Sequence, residues 1–133
     1  MASELQLLIA SDADVIAARQ QGRDLAAQHA FSAGDQTVIA VAISEVARNI
    51  VRYAKRGQIV LQAFNSANRV GILIVARDQG PGIADLQLAM QDGYSTSGGL
   101  GLGLPGARRL MDEFDIQSQV GAGTTVTMRK WRS

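Results

Sequence analysis

The chain has 133 residues, 47% of them hydrophobic, and carries 13 Lys and Arg against 12 Asp and Glu. This length suits a single domain, and the net charge of +1 gives no electrostatic basis for binding nucleic acid or a membrane surface. Cysteine is absent, which excludes disulfides, thiolate metal sites and a cysteine nucleophile. The longest apolar run, residues 5–10, is far shorter than the ~20 residues of a membrane span. We therefore expect one cytoplasmic domain over residues 1–133.

The first two thirds of the chain alternate between predicted helices and strands. Residues 4–10 predict a strand, and residues 11–30 predict a helix with Ser11 and Asp12 as capping residues. Asp35 is a candidate N-cap for a second helix over residues 36–56. Two β-rich runs, 57–65 and 69–79, flank the polar turn NSANR and predict a hairpin.

The last third of the chain continues this mixture. Residues 83–93 predict a short helix or turn, and residues 104–114 a helix with Pro105 in its first turn. Residues 115–120 and 125–131 predict two strands joined by the turn GAGT. Helices mixed with hairpins predict an α+β fold of two layers, in which helices cover one face of the sheet.

The segment GYSTSGGLGLGLPG, residues 93–106, concentrates six of the fourteen glycines. No lysine follows any of these glycines, which excludes a Walker A loop. The literal GxGxxG at 101–106 has no strand before it and no acid about 20 residues later, which excludes a dinucleotide loop. The alternating leucines can anchor the segment while glycine amides and the next helix N-terminus hold an anion. From this stretch alone, a phosphate-binding loop and a flexible connection both remain open.

The second predicted helix carries a polar pair at the edge of its apolar arc. Glu45 and Asn49 are four residues apart, so they share one helix face. Both supply hard oxygen ligands, which suit Mg²⁺. The alternative is an ordinary solvated edge of the helix.

Two further segments have both a functional and a plain interpretation. An apolar run ends at Asp78, followed by Gly80 and Gly82, and an acid there can accept a hydrogen bond from adenine N6. The plain interpretation is an Asp-initiated turn. The segment GAGTT reads as a hairpin turn, although Thr124 or Thr125 reaches a nucleobase pocket if the turn faces one.

In order and spacing, these four segments resemble the N, G1, G2 and G3 boxes of the GHKL ATPase and kinase superfamily, which includes DNA gyrase, Hsp90-type chaperones, histidine kinases and MutL. The segments ISEVARNIVRYA, DQGPGI, GYSTSGGLGLGLPGARRLMDEF and GAGT are most similar to the small serine/threonine kinases and anti-sigma factors of bacterial partner switching. The resemblance to the stress-response switch kinases runs nearly end to end. It implies the Bergerat fold, a two-layer sandwich with helices on one face of a mixed, mostly antiparallel sheet.

The resemblance also implies a role for each matching position. Glu45 matches the proposed general base, Asn49 the Mg²⁺ ligand, and Asp78 the acceptor for adenine N6, with Gly80 and Gly82 shaping the turn. The positions implied to bind the rest of the nucleotide are Ser97, Gly98, Gly99, Leu100, Gly101, Leu102, Gly103 and Thr124.

The activity implied by the resemblance is ATP-dependent serine/threonine protein kinase, with ATP or ADP and Mg²⁺ as cofactors. The implied acceptor is a Ser or Thr of a STAS-domain antagonist, because the sole histidine, His29, ends the first helix and no acceptor helix accompanies it. A PP2C-type phosphatase is the second implied partner. The alternative is a nucleotide-gated anti-sigma factor that sequesters a sigma factor without catalysis.

Overall fold

A computed structural model describes residues 4–83, 90 and 103–133 of the chain. No helix in these ranges has the length and apolar character that crossing a membrane requires. The elements in chain order are β1 (Glu4–Ile9), α1 (Asp12–Gln28), α2 (Ala33–Tyr53), β2 (Gly57–Ser66), β3 (Arg69–Asp78), α3 (Gly103–Leu110), β4 (Glu113–Gln119) and β5 (Gly123–Trp131).

The strands form one five-stranded sheet in the order β1-β2-β3-β5-β4. All four pairings are antiparallel, and the β2–β3 and β4–β5 pairs are hairpins. The predicted α+β class and the 57–79 hairpin are confirmed. The resemblance implied a mixed, mostly antiparallel sheet, and within the described residues the sheet is antiparallel throughout.

The hydrophobic core lies between the helices and one face of the sheet. Successive strand residues point to opposite faces, so alternate positions of each strand supply the core. Within the described residues, the largest fully buried side chains are Ile9, Ile39, Ile43, Val46, Ile50, Ile59, Leu61, Ile72, Ile74 and Met128. The α2 members of this set belong to the apolar arc that the sequence predicts.

Element boundaries differ from the predictions by a few residues, and two of the differences have a clear structural reason. The N-cap of α2 is Ser32, whose hydroxyl accepts a hydrogen bond from the Asp35 N–H, so Asp35 lies in the first turn instead of capping it. The predicted helix over 104–114 ends at Leu110, because Phe114 belongs to β4 and pairs with Met128. Of the predicted helix or turn over 83–93, residues 84–89 and 91–93 lie outside the described residues.

An aromatic cluster occupies the sheet face away from the helices, at the end of the sheet farthest from Asp78. The rings of Phe64 and Trp131 meet edge to face, 5.0 Å between centroids, and the Arg69 guanidinium lies 4.2 Å from the Trp131 ring centroid. The Trp131 indole N–H donates to Glu113. A Cβ at Gly71 would lie 2.6 Å from the Phe64 ring, so the glycine makes room for this cluster.

Candidate functional site

Four strands place one residue each in a single row at the Asp78 end of the sheet. The registers align Gly57 with Asp78, Asp78 with Thr124, and Thr124 with Ser118. A Cβ at Gly57 would lie 2.9 Å from the Ile50 side chain of α2, so this row is on the face covered by the helices. Asp78, Thr124 and Ser118 therefore point toward the helix layer.

Three glycines from three different parts of the chain surround Asp78. A Cβ at Gly57 would lie 3.1 Å from the Asp78 Cβ, and one at Gly123 would lie 2.1 Å from the Asp78 carbonyl oxygen. A Cβ at Gly80 would lie 2.6 Å from the Cβ of Ala54, just beyond the end of α2. Close backbone approach around the carboxylate therefore requires glycine at all three positions. The sequence pattern indicates a role for Gly80, whereas Gly57 and Gly123 read only as strand and turn residues.

The Asp78 carboxylate is half-buried and only partly engaged. Its Oδ1 accepts a hydrogen bond of 2.9 Å from the Gly80 N–H, which is the Asp-initiated turn expected for this segment. Its Oδ2 accepts no hydrogen bond from the described part of the chain. The turn therefore orients the side chain and leaves Oδ2 able to accept from a ligand N–H.

The DQGPGI turn is tied to the end of the β4–β5 hairpin. The Gly121 N–H donates to the Pro81 carbonyl over 2.9 Å, and the Ile83 N–H donates to the Ser118 hydroxyl over 2.7 Å. Gly82 between them has φ +78°, the left-handed region that favours glycine. These contacts fix the position of the turn relative to the sheet.

A pair of hydroxyls lies beside Asp78. Thr124 is buried, and its hydroxyl is 2.8 Å from that of Ser118. Of the two threonines considered from sequence, Thr124 shares the face of Asp78, whereas Thr125 pairs with Arg77 and points away. Ser118 was missed from sequence. The available signal was its alternation with the apolar Ile116 along β4.

Glu45 and Asn49 on α2 are more buried than expected for the polar edge of an apolar helix face. Glu45 is only 6% exposed, so a solvated edge is the wrong description of this residue. The reason is tertiary: α3 packs against α2, and the Gly103 N–H donates to Glu45 Oε2 over 2.8 Å. Arg48 donates to Glu45 Oε1 over 3.0 Å. Asn49 is half-buried, and its side-chain amide makes no hydrogen bond with the described residues.

The glycine-rich segment is described only from its last glycine onward. Gly103 has φ +68° and begins α3, and Leu104 is buried, as expected for a segment anchored by its leucines. Pro105 lies in the first turn of α3, as predicted. Six of the predicted nucleotide-binding positions lie outside the described residues: Ser97, Gly98, Gly99, Leu100, Gly101 and Leu102.

The two halves of the candidate site are connected by α2. Glu45 contacts Gly103, and nine residues later Ala54 contacts Gly80 beside Asp78. At a rise of 1.5 Å per residue, this separation along the helix is about 14 Å. It is comparable to the span of a nucleoside triphosphate from its base to its terminal phosphate.

The described residues contain no cluster of three or more His, Cys, Asp or Glu side chains that could hold a metal alone. Mg²⁺ usually keeps several waters and takes one or two protein oxygens together with substrate phosphates. Asn49 offers one such oxygen beside the buried Glu45 carboxylate. The donor set therefore fits a Mg²⁺ ion that arrives with phosphates.

Comparison with known proteins assigns this architecture to a class of ATPase domains. Residues 8–130 match the family described as histidine kinase-like ATPase domain, and the chain belongs to that family. The match covers every described element except the first residues of β1 and the last of β5. Membership in an ATPase domain family implies nucleotide use.

The chain is also similar to a bacterial protein kinase and to bacterial anti-sigma factors. The chain is 50% identical over 123 residues to the serine/threonine-protein kinase RsbT of Bacillus subtilis, and the match covers 92% of each chain. It is 34% identical over 99 residues to the anti-sigma F factor of a Thermoanaerobacter strain, covering 70% of this chain and 68% of the relative.

Solved structures show the same fold. The crystal structure of the RsbU and RsbW domains of a Mycobacterium tuberculosis protein matches with a TM-score of 0.64 and 25% identity. That match covers 98% of this chain, which spans 33% of the solved one. The mycobacterial sensor histidine kinase MprB matches with a TM-score of 0.57 at 14% identity over 98% of this chain and 97% of its own, which supports the fold alone.

Proposed function

We propose that this protein is an ATP-dependent serine/threonine protein kinase of a bacterial partner-switching module, with residues 1–133 acting as one domain. The observation that carries the proposal is the buried carboxylate of Glu45, held against the Gly103 amide where the glycine-rich segment enters α3. A buried carboxylate at the end of a predicted phosphate-binding segment supports a role for Glu45 in proton transfer at the terminal phosphate. The 50% identity to RsbT supports protein phosphorylation over simple ATP hydrolysis.

The Asp78 end of the site is proposed to bind adenine. Oδ2 of Asp78 accepts from the exocyclic amine, a donor that adenine has and guanine lacks at the equivalent ring position. Gly80, Gly82 and the Ser118–Thr124 hydroxyl pair hold the turn that orients this carboxylate. We infer that Thr124 lines the base pocket.

The Gly103 end is proposed to bind the phosphates. The inferred donors to the phosphate oxygens are the backbone amides at the positions predicted from sequence, 97–103, together with the N-terminus of α3. Asn49 would hold Mg²⁺ through its amide oxygen. When bound, this ion neutralises charge on the phosphate oxygens.

Glu45 is the proposed general base of the transfer. The acceptor hydroxyl oxygen bonds to the γ-phosphorus, the bond from that phosphorus to the β–γ bridging oxygen breaks, and ADP leaves. The hydroxyl proton passes to the Glu45 carboxylate. Because the transition state of such transfers is loose, positioning and charge stabilisation supply most of the acceleration.

The proposed phosphoacceptor is a Ser or Thr of a STAS-domain antagonist protein, and the proposed second partner is a PP2C-type phosphatase that the kinase activates by direct binding. The relatives named RsbT and anti-sigma F factor support a switch that acts on other proteins. The anti-sigma relatives also keep an alternative: sequestration of a sigma factor under nucleotide control.

The experiment combines the purified chain, γ-labelled ATP and the STAS-domain proteins encoded by neighbouring genes. We expect label on one acceptor and none on its Ser→Ala or Thr→Ala variant. Glu45→Gln should lower turnover about 10²–10⁴-fold while ADP still raises the melting temperature. The matched control is Glu4→Gln, an exposed glutamate on β1 that should transfer label normally. Stable binding to a sigma factor without label transfer would overturn the kinase proposal in favour of the alternative.

A further inference from the structure

Arg48 forms an ion pair with the buried Glu45 carboxylate. It lies one helical turn after Glu45, and its Nη1 is 3.0 Å from Glu45 Oε1. We propose that Arg48 is a positioning residue for phosphoryl transfer: it fixes the Glu45 carboxylate in the orientation from which it accepts the proton. This inference rests on the proposed kinase function.

The Glu45 carboxylate is held from two directions. Arg48 reaches one oxygen from α2 itself, and the Gly103 N–H reaches the other from the start of α3 over 2.8 Å. A donor on each oxygen fixes the carboxylate plane, which a single hydrogen bond leaves free to rotate. Each oxygen can accept a second hydrogen bond, so this arrangement is compatible with proton transfer.

Screening limits what the pair adds to the free energy of unfolding. The Arg48 side chain is 41% exposed, so solvent weakens its attraction to Glu45. Glu45, in contrast, is only 6% exposed. A buried carboxylate with a specific orientation is what a general base requires, since reaction rates fall steeply with small misplacements of the reacting groups.

The chain offers a matched control on the same helix. Arg52 lies one turn beyond Arg48, is exposed, and makes no ion pair with the described residues. Arg52→Met removes the same charge from the same helix surface without touching Glu45. Arg48→Lys is the conservative variant, because a lysine ammonium can still reach one carboxylate oxygen but lacks the planar fork of arginine.

The kinetic test measures label transfer from ATP to the acceptor protein by the full chain. We expect Arg48→Met to lower kcat by up to about 100-fold with KM for ATP unchanged, Arg48→Lys to restore part of it, and Arg52→Met to have no effect. In the Glu45→Gln background, Arg48→Met should cause no further loss, because the two residues act as one unit. Independent losses that multiply, or an equal loss in Arg52→Met, would overturn the proposal.

A structural measurement separates this inference from the kinase proposal. The ¹⁵N–¹H signal of the Gly103 amide reports its hydrogen bond to Glu45. We expect Arg48→Met to move this signal in the direction that Glu45→Gln moves it, and Arg52→Met to leave it in place. An unmoved Gly103 signal in Arg48→Met would show that Arg48 does not orient Glu45. Absence of label transfer by the unaltered chain, with the Gly103 signal responding as expected, would instead contradict the kinase proposal alone.

Discussion

The two ends of the sheet use glycine differently. At the end that carries the Phe64–Trp131 cluster, a glycine makes room for side chains, whereas at the Asp78 end a glycine makes room for the main chain. A Cβ at Gly71 would meet the rings of Phe64 and Trp131, which can turn aside. A Cβ at Gly123 would meet the Asp78 carbonyl oxygen, which is part of a β-ladder and cannot turn aside. The aromatic end is therefore built by side-chain packing, and the site end is built by the path of the backbone.

Gly123→Ala should give the largest loss. Gly123 has φ +99°, and its Cβ would lie 2.1 Å from the Asp78 carbonyl oxygen. Positive φ and backbone overlap cost about 1–3 kcal/mol each, so we expect unfolding to become easier by about 2–6 kcal/mol. Urea denaturation measures this loss. The ADP-induced rise in melting temperature should disappear, because the Asp78 turn is displaced.

The matched control is Gly121→Ala in the same hairpin. Gly121 also has positive φ, +83°, but a Cβ there would meet nothing within 4 Å. Only the conformational cost applies, about 1–2 kcal/mol, and the response to ADP should persist. Equal losses in the two variants would show that close backbone approach contributes nothing at Gly123.

Asp78→Asn should separate nucleotide binding from folding. The asparagine oxygen can still accept from the Gly80 N–H, but the other position becomes an amide NH₂ group, which donates and cannot accept from adenine. A hydrogen bond to a charged group is worth about 1.5–3 kcal/mol, so calorimetry should show ADP binding weaker by about ten- to hundredfold. Unfolding by urea should change little. Asp115→Asn, an exposed aspartate on β4, is the control and should bind ADP normally.

Trp131→Leu should have the opposite effect to Asp78→Asn: it should destabilise the fold without weakening ADP binding. The variant loses the ring contact with Phe64, the cation–π contact with Arg69 and the hydrogen bond to Glu113. Because the indole is half-buried, we expect a loss of about 1–3 kcal/mol in unfolding free energy. The ADP-induced rise in melting temperature should stay the same. A reduced response to ADP would break the division between the two ends of the sheet.

The sequence predicts those features of the molecule that depend on residues close together in the chain. Alternating apolar residues and the NSANR turn predict the β2–β3 hairpin, and the 3.6-residue period predicts the buried arc of α2. Asp78 and Gly80 stand out because an acid and glycines follow an apolar strand. These are local signals, and each describes residues that are neighbours in the chain.

What the sequence did not predict depends on contacts between distant segments. Gly57 and Gly123 read as ordinary strand and turn residues, and only the register that brings both beside Asp78 shows their role. Glu45 appears to lie at a polar edge until α3 covers it, 58 residues further along the chain. Helix periodicity gives the direction of a side chain but not the element packed over it.

Ser118→Ala should give the smallest effect and tests the contact that sequence missed. The Ser118 hydroxyl accepts from the Ile83 N–H and pairs with Thr124, so its removal leaves a partly buried donor without its acceptor. We expect a loss of about 1 kcal/mol in unfolding free energy, and ADP binding weaker by less than about tenfold because the turn loosens. Ser66→Ala, an exposed serine at the end of β2, is the control and should change neither quantity.

Comparing the loss of unfolding free energy with the loss of ADP affinity in Ser118→Ala shows how Ser118 contributes to the Asp78 end of the site. If the hydroxyl acts only by holding the DQGPGI turn, stability and ADP affinity should fall together, since one contact supports both. A fall in affinity with unchanged stability would mean that Ser118 contacts the nucleotide itself. A fall in stability alone would mean that Gly121 and Pro81 hold the turn without help from the hydroxyl. In that case the backbone path by itself sets the orientation of Asp78, as the glycine contacts around it indicate.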